Sequence, residues 1–237
     1  MTLPTITALP TAPSRTDPAT FAARGDAFVA ALATLRTEIN SFGAALPTEV
    51  ATLQNDSNIG QLVQLGTPTT ITGSPSTVDF IHNVNSAVFS STYDVLLWEL
   101  QGVKPGTDGT DLVLRTTTDA GSSWDSGATD YGWARYDLIA GSTSSSGAAQ
   151  VTMAATVGNA TDEEGAYGRL FLFRPSDAKP SLMLWNLVLR NSTAGAVTVI
   201  NGAAMRKAAA NVDGLRLFFS SGTMAAGVIT MYGRKKS

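Results

Sequence analysis

The sequence contains no cysteine, which removes disulfides, thiolate metal sites and cysteine nucleophiles together. It has a single histidine, His82, so any Ser/His/Asp triad or imidazole metal site would have to be built on that one ring. His82 sits at the end of a strand-like stretch, Phe80-Ile81-His82-Asn83, and no G-x-S-x-G nucleophile elbow occurs; a structural or solvent-facing histidine is expected. Charge is scarce too. Only 15% of residues are charged, against about 25% in an ordinary soluble domain. With a net charge of −3 there is no electrostatic footprint for nucleic acid. The one basic cluster, Arg234-Lys235-Lys236, reads as a solvated tail or an inter-subunit contact. No apolar run approaches the roughly 20 residues of a membrane span, and the N-terminus lacks the basic and apolar regions of a secretory signal. Neither membrane insertion nor export is expected, and synthesis in a cytoplasm is. A phosphate loop of the G-x-x-x-x-G-K-[ST] type is missing as well, and no cofactor or metal is expected.

What covers the surface in place of charge is Ser, Thr, Gly, Ala and Asn, a composition suited to strands, turns and faces covered by neighbouring copies. The chain divides by pattern. Residues 1–17 carry Pro4, Pro10 and Pro13 and predict an extended arm. Asp17-Pro18 marks a helix start, with a capping carboxylate followed by proline in the first helical position. Over residues 18–55, Phe21, Phe28, Leu32, Leu35, Ile39, Phe42 and Leu46 recur at four-three spacing from Phe28 onward, with Gly25 in the intervening slot. This narrow seam predicts a short coiled-coil oligomerisation stem; the competing reading is one helix docked on its own β domain. Gly43 and Pro47 are expected to weaken or kink it, with a second short run over 48–55. The seam does not itself separate two strands from three.

Residues 56–75, rich in Asn, Gly, Thr, Ser and Pro, read as a linker or collar with short β-like pieces. From residue 76 to 237 about ten strands alternate with turn chemistry such as Pro105-Gly106-Thr107-Asp108-Gly109 and Asp119-Ala120-Gly121, and the segment 141–147 reads as a turn. Ten strands without intervening helices cannot make a parallel sheet. The fold class expected is therefore mainly β with an N-terminal α-helix, the strands forming an antiparallel jelly-roll-like β-sandwich. Leu182-Met183-Leu184-Trp185 is apolar without alternation, and in an outer sheet that implies a covering partner subunit.

Few residues offer chemistry. Asp162-Glu163-Glu164 reads as a solvated turn rather than a pair of glycosidase acids. Asp108-Gly109-Thr110-Asp111 lacks the further acids of a calcium loop. The loop from Asp119 to Trp133 is the best surface candidate, because flat aromatic rings beside carboxylates suit sugars and protein surfaces. The candidate receptor or glycan contacts are Trp124, Asp125, Asp130 and Tyr131, with Trp124 expected to be exposed and Trp133 and Tyr136 expected in the core. No catalytic residue is assigned.

The segment Pro13-Ser14-Arg15-Thr16-Asp17-Pro18-Ala19-Thr20-Phe21, continuing to Asp26 and Phe28, resembles the P-S-R-x-D-P-x-x-F-x-x-x-x-D-x-F helix starter of tailed-phage fibre and tail-associated proteins. The closing Gly227-Val228-Ile229-Thr230-Met231-Tyr232-Gly233 is similar to the G-x-I-x-L-Y-G phrase that ends phage fibre β-sandwiches, with Met231 in place of leucine. The two matches cover the first sixth of the chain and its last strand pair. The resemblance implies a virion-anchored N-terminal arm that contacts other virion proteins, a self-associating helix, and an assembly or receptor-binding domain. The expectation is thus a non-enzymatic structural protein of the virion, a phage tail or head fibre assembling as a homotrimer and contributing to host attachment through a host surface glycan or protein. The alternatives are a purely architectural capsid decoration or tail-tip protein, and a carbohydrate-binding module or enzyme.

Overall fold

A computed structural model of the chain describes residues 7–12, 15–57, 61–192 and 195–236. Residues 1–6, 13 and 14 of the arm and 58–60 of the linker lie outside them. The chain forms two compact units, residues 1–58 and 59–237.

Among the described residues the first unit holds one helix, α1 (Phe21–Ser57). The regular helix begins three residues after Pro18 rather than at it, and Asp17 receives side chains of the first turn. The Thr20 hydroxyl donates to Asp17 Oδ2 at 2.5 Å, Arg24 reaches the same carboxylate at 3.5 Å, and the Arg24 amide donates to the Thr20 carbonyl. Gly43 and Pro47, expected to weaken or kink the helix, both lie within α1, and the second run expected over 48–55 is part of the same helix. Proline there removes one amide donor and crowds the carbonyl of Gly43 four residues back. The stretch 7–12 has no regular structure, yet its first residue is held: the Thr7 amide and hydroxyl donate to Glu38 at 2.8 and 2.7 Å. Those bonds, the hydroxyl's first, hold the Glu38 carboxyl below its usual range. Along the seam Phe21, Leu32, Ile39 and Leu46 are exposed, and Phe28, Leu35 and Phe42 are half-buried.

The second unit is antiparallel β. Among the described residues there are twelve strands: β1 (Leu62–Thr70), β2 (Thr77–Ile81), β3 (Tyr93–Pro105), β4 (Thr110–Thr117), β5 (Tyr131–Asp137), β6 (Gly141–Ala148), β7 (Val151–Val157), β8 (Ala166–Phe173), β9 (Ser181–Arg190), β10 (Val197–Arg206), β11 (Gly214–Phe219) and β12 (Met224–Lys235). They make an eight-stranded sheet in the order β1-β12-β3-β8-β9-β10-β5-β6 and a four-stranded sheet in the order β2-β11-β4-β7. Early strands pair with late ones: β1 with β12 and β3 with β8 in the large sheet, β2 with β11 and β4 with β7 in the small one. The hairpins β5–β6 and β9–β10 extend the large sheet at one end.

The stretch read as a linker therefore contains an edge strand. Leu65 and Ile71 are buried in the core, and β1 keeps its pairing with β12 across an irregularity between Leu65 and Thr69. The segment 141–147, read as a turn, lies within strand β6, held by backbone pairing to β5.

The core lies between the sheets. Alternation on β3, β8 and β9 sends Leu96, Trp98, Leu100, Leu170, Leu172, Met183, Trp185 and Leu187 inward. Phe80 and Phe89 pack against Trp98 with ring centroids 6.0 and 5.8 Å away. The Trp185 indole N–H donates to the Met153 carbonyl of β7 at 3.0 Å, so its polar edge is satisfied inside an apolar layer.

Candidate functional site

The loop between β4 and β5 is pinned at both ends. Thr117 and Ser123 hydroxyls donate to the Asp119 carboxylate at 2.6 and 2.5 Å, and the Ser123 amide adds a third bond at 2.9 Å. These donors, Ser123 first and then Thr117, hold Asp119 down at about 2. The group is depressed, so its contribution is present above the ordinary carboxylate range near 4 and is lost as pH falls through about 2. Carboxyl NMR should accordingly show Asp119 still ionised until the pH approaches about 2. The chemical shift of the Ser123 amide should move as Asp119 protonates in the native chain and stay flat over the same range, about pH 4 to 2, in Asp119→Asn.

Beyond this turn the four predicted contacts separate. Asp125 accepts from Arg206 Nε at 2.6 Å and Nη2 at 3.2 Å, and from the Thr116 hydroxyl at 2.8 Å. Tyr131 is wholly buried in the core. Its oxygen accepts the Thr116 amide at 2.7 Å and lies 3.0 Å from the Thr116 hydroxyl. Burial pushes its phenol up to about 12. Arg206, Asp125, Thr116 and Tyr131 thus form one interior network that closes the loop over the sandwich. Asp130 caps its own turn by accepting the Gly127 amide at 2.6 Å. Trp124, expected to be exposed, is half-buried and lies under the Arg216 guanidinium at 4.2 Å. Arg216 is itself held by Asp79 through bonds of 2.7 and 2.6 Å. Trp124 and Asp130 remain at the surface, while Tyr131 is removed from it and Asp125 is committed to Arg206. Trp133 packs partly buried against the core with Arg135 over its ring at 5.5 Å. Tyr136, expected inside, is half-exposed, because β5 turns its odd-numbered residues inward.

The other candidates hold the fold. His82 Nδ1 accepts the Phe89 amide at 3.0 Å, which ties the turn after β2. Glu163 is buried and accepts the Ala160 amide at 2.9 Å, and Asp162 pairs with Arg190. Asp108 and Asp111 accept the amides of Asn159 and Thr156 at 3.0 and 3.2 Å. Among the described residues no three acids or histidines come together as a metal would need.

A second organised surface is the outward face of the eight-stranded sheet. Register places Leu62, Arg234, Val95, Phe173, Leu182 and Met205 in one row across it. The next row carries Tyr232, Leu97, Phe171, Leu184, Ala203 and Ala134. Phe171 and Phe173 stack with centroids 6.3 Å apart. Between these residues lies an apolar groove of about 260 Å³, lined by Leu62, Val95, Phe171, Phe173, Leu184 and Arg234. The third row is polar: Glu99 and Arg169 form an ion pair at 3.4 Å, and Asn186 donates to Asn201. A fourth row returns to apolar side chains with Tyr167, Val188 and Val199. The apolar run at Leu182–Trp185 pointed to this face. No comparable pattern in the sequence marks Arg206 and Arg216 as loop anchors.

The chain matches no family model, no curated protein and no solved structure.

Proposed function

We propose that this chain is a non-catalytic structural protein of a virion, a phage tail or head fibre that assembles as a homotrimer through a coiled-coil stem. The observation that carries the reading is the seam on α1. All seven predicted positions lie in one helix, and none of them is buried. A helix of this length is about 55 Å long, and a narrow four-three apolar stripe left uncovered along it is the surface that a supercoiled helix pair or trimer buries. The arm before it contacts other virion proteins, in line with the resemblance at Pro13–Phe28.

The β unit is the displayed part. Without the hairpins β5–β6 and β9–β10, its strands nest as first with last, second with last but one, and onward, alternating between the two sheets. That nesting supports a jelly-roll reading. Host attachment is a matter of valency: three copies of a weak contact gain affinity without new contacts. Of the four candidate contact residues, Trp124 and Asp130 are the ones we assign to that contact, because they keep surface exposure without an ion pair of their own among the described residues.

Solution mass by light scattering tests the proposal. The full chain, 24.6 kDa per copy, should run at three times that mass. Leu32→Asp with Ile39→Asp, both on exposed seam positions, should reduce it while leaving the β signature in circular dichroism intact. A monomer at micromolar concentration overturns the fibre reading.

A further inference from the structure

We infer that the outward face of the eight-stranded sheet is itself an interface between copies of this chain, distinct from the helical seam. The inference deepens the homo-oligomeric reading by assigning a second contact surface, located on the β unit.

Three features favour another copy as the occupant. The first is exposure. Leu62, Leu182, Leu184, Val188 and Val199 are 40–53% exposed, and they lie in two apolar bands on a paired sheet rather than scattered singly. Large apolar side chains grouped in this way and rimmed by polar ones mark a protein interaction surface.

The second is charge. The charges set along these rows are neutralised within the same copy: Glu99 with Arg169, Asp94 with Arg234, and Asp162 with Arg190. A face of zero net charge does not repel its own duplicate, and it offers a strongly basic or acidic partner nothing to pair with.

The third is the polar row. Asn186 and Asn201 are side-chain amides, and each carries both donors and an acceptor. Their mutual bond uses one donor and one acceptor, so the remainder can meet identical amides on another copy. Apolar bands lie on both sides of this row, so one copy can offer one band to each of two neighbours, as a cyclic assembly requires.

The absence of cysteine makes the test direct. Single cysteines are placed in the full chain at Leu184→Cys and Val199→Cys on the face, and at Ser122→Cys in the exposed β4–β5 loop. Labelling with a small maleimide should be at least tenfold slower at the two face positions than at Ser122→Cys. A short bis-maleimide should join chains through either face cysteine. The same samples are weighed by light scattering, with and without the stem substitutions Leu32→Asp and Ile39→Asp. Slow labelling in the native oligomer supports the inference. Slow labelling that persists in an oligomer with a broken stem supports it and places the assembly in the β unit rather than in the helix. An oligomer whose face cysteines react as fast as Ser122→Cys overturns the inference and leaves the stem standing. Fast labelling of the purified chain that slows only on assembled particles also overturns it, assigning the face to a different virion protein.

Discussion

Replacing Asp125 with alanine should destabilise the β unit by about 3–5 kcal/mol, the cost of leaving a buried charge without its partner. The Arg206 side chain is only 5% exposed. With the carboxylate gone, its guanidinium keeps one listener, the Ala208 carbonyl at 2.8 Å, and cannot turn to water. The loss should spread along the network, because Thr116 also donates to Asp125 and anchors the Tyr131 oxygen. Urea unfolding followed by tryptophan fluorescence measures it. Asp125→Asn should cost less, since an amide oxygen still accepts. Joint replacement by Asp125→Leu and Arg206→Met should recover most of the loss, because a buried pair exchanged for apolar side chains of similar volume is often neutral. A cost below about 1 kcal/mol for Asp125→Ala would mean that water reaches Arg206 and that the loop is open.

The second large effect is expected at Trp185. Trp185→Ala removes a fully buried indole and its bond to the Met153 carbonyl, for an expected loss of about 3–5 kcal/mol. The site is also intolerant in the opposite direction. Gly202 lies directly across the ladder from Trp185, and a β-carbon there would sit 2.1 Å from the indole ring. Gly202→Ala should therefore cost about 1–3 kcal/mol by overpacking. In a Trp185→Leu background the same alanine should become much less costly. Such non-additivity, read by a double-mutant cycle in thermal unfolding, is the signature of direct contact. Additive losses would show that the ring does not lie over Gly202.

Much of this architecture was legible wherever apolar residues kept a period. The four-three spacing located α1, and turn chemistry such as Pro105-Gly106-Thr107-Asp108-Gly109 and Asp119-Ala120-Gly121 falls on either side of β4. Reading failed where pairing is carried by backbone alone. Strand β6, with the sequence GSTSSSGA, has almost no apolar side chains, and its place in the sheet comes from hydrogen bonds to β5 that no local pattern announces. Strand β1 was legible only as short β-like pieces within a linker, because Gly66-Thr67-Pro68 fall at the irregularity between its two paired stretches. The candidate loop was located correctly and misread in depth. An Asp among Gly and Ser looks solvated until Arg206, 81 residues later in the chain, arrives to bury it. Tyr131 likewise reads as a recognition aromatic only so long as Thr116 is not known to be its partner. The open sheet face was readable because Leu182 and Leu184 are apolar on the side that alternation should have made polar.

The pairing of β1 with β12 sets how the domain bears load. The chain enters the β unit at Leu62, directly opposite Arg234 on the last strand. Force applied between the chain before Leu62 and the body of the sandwich, along β1, would strain the rungs of that ladder together. Force applied between the chain before Leu62 and a cargo fused after Lys236 would pull both strands from the same end and peel them apart one rung at a time. The same strand pair is thus a shear joint for a load on the domain and a zipper for a load on its C-terminus.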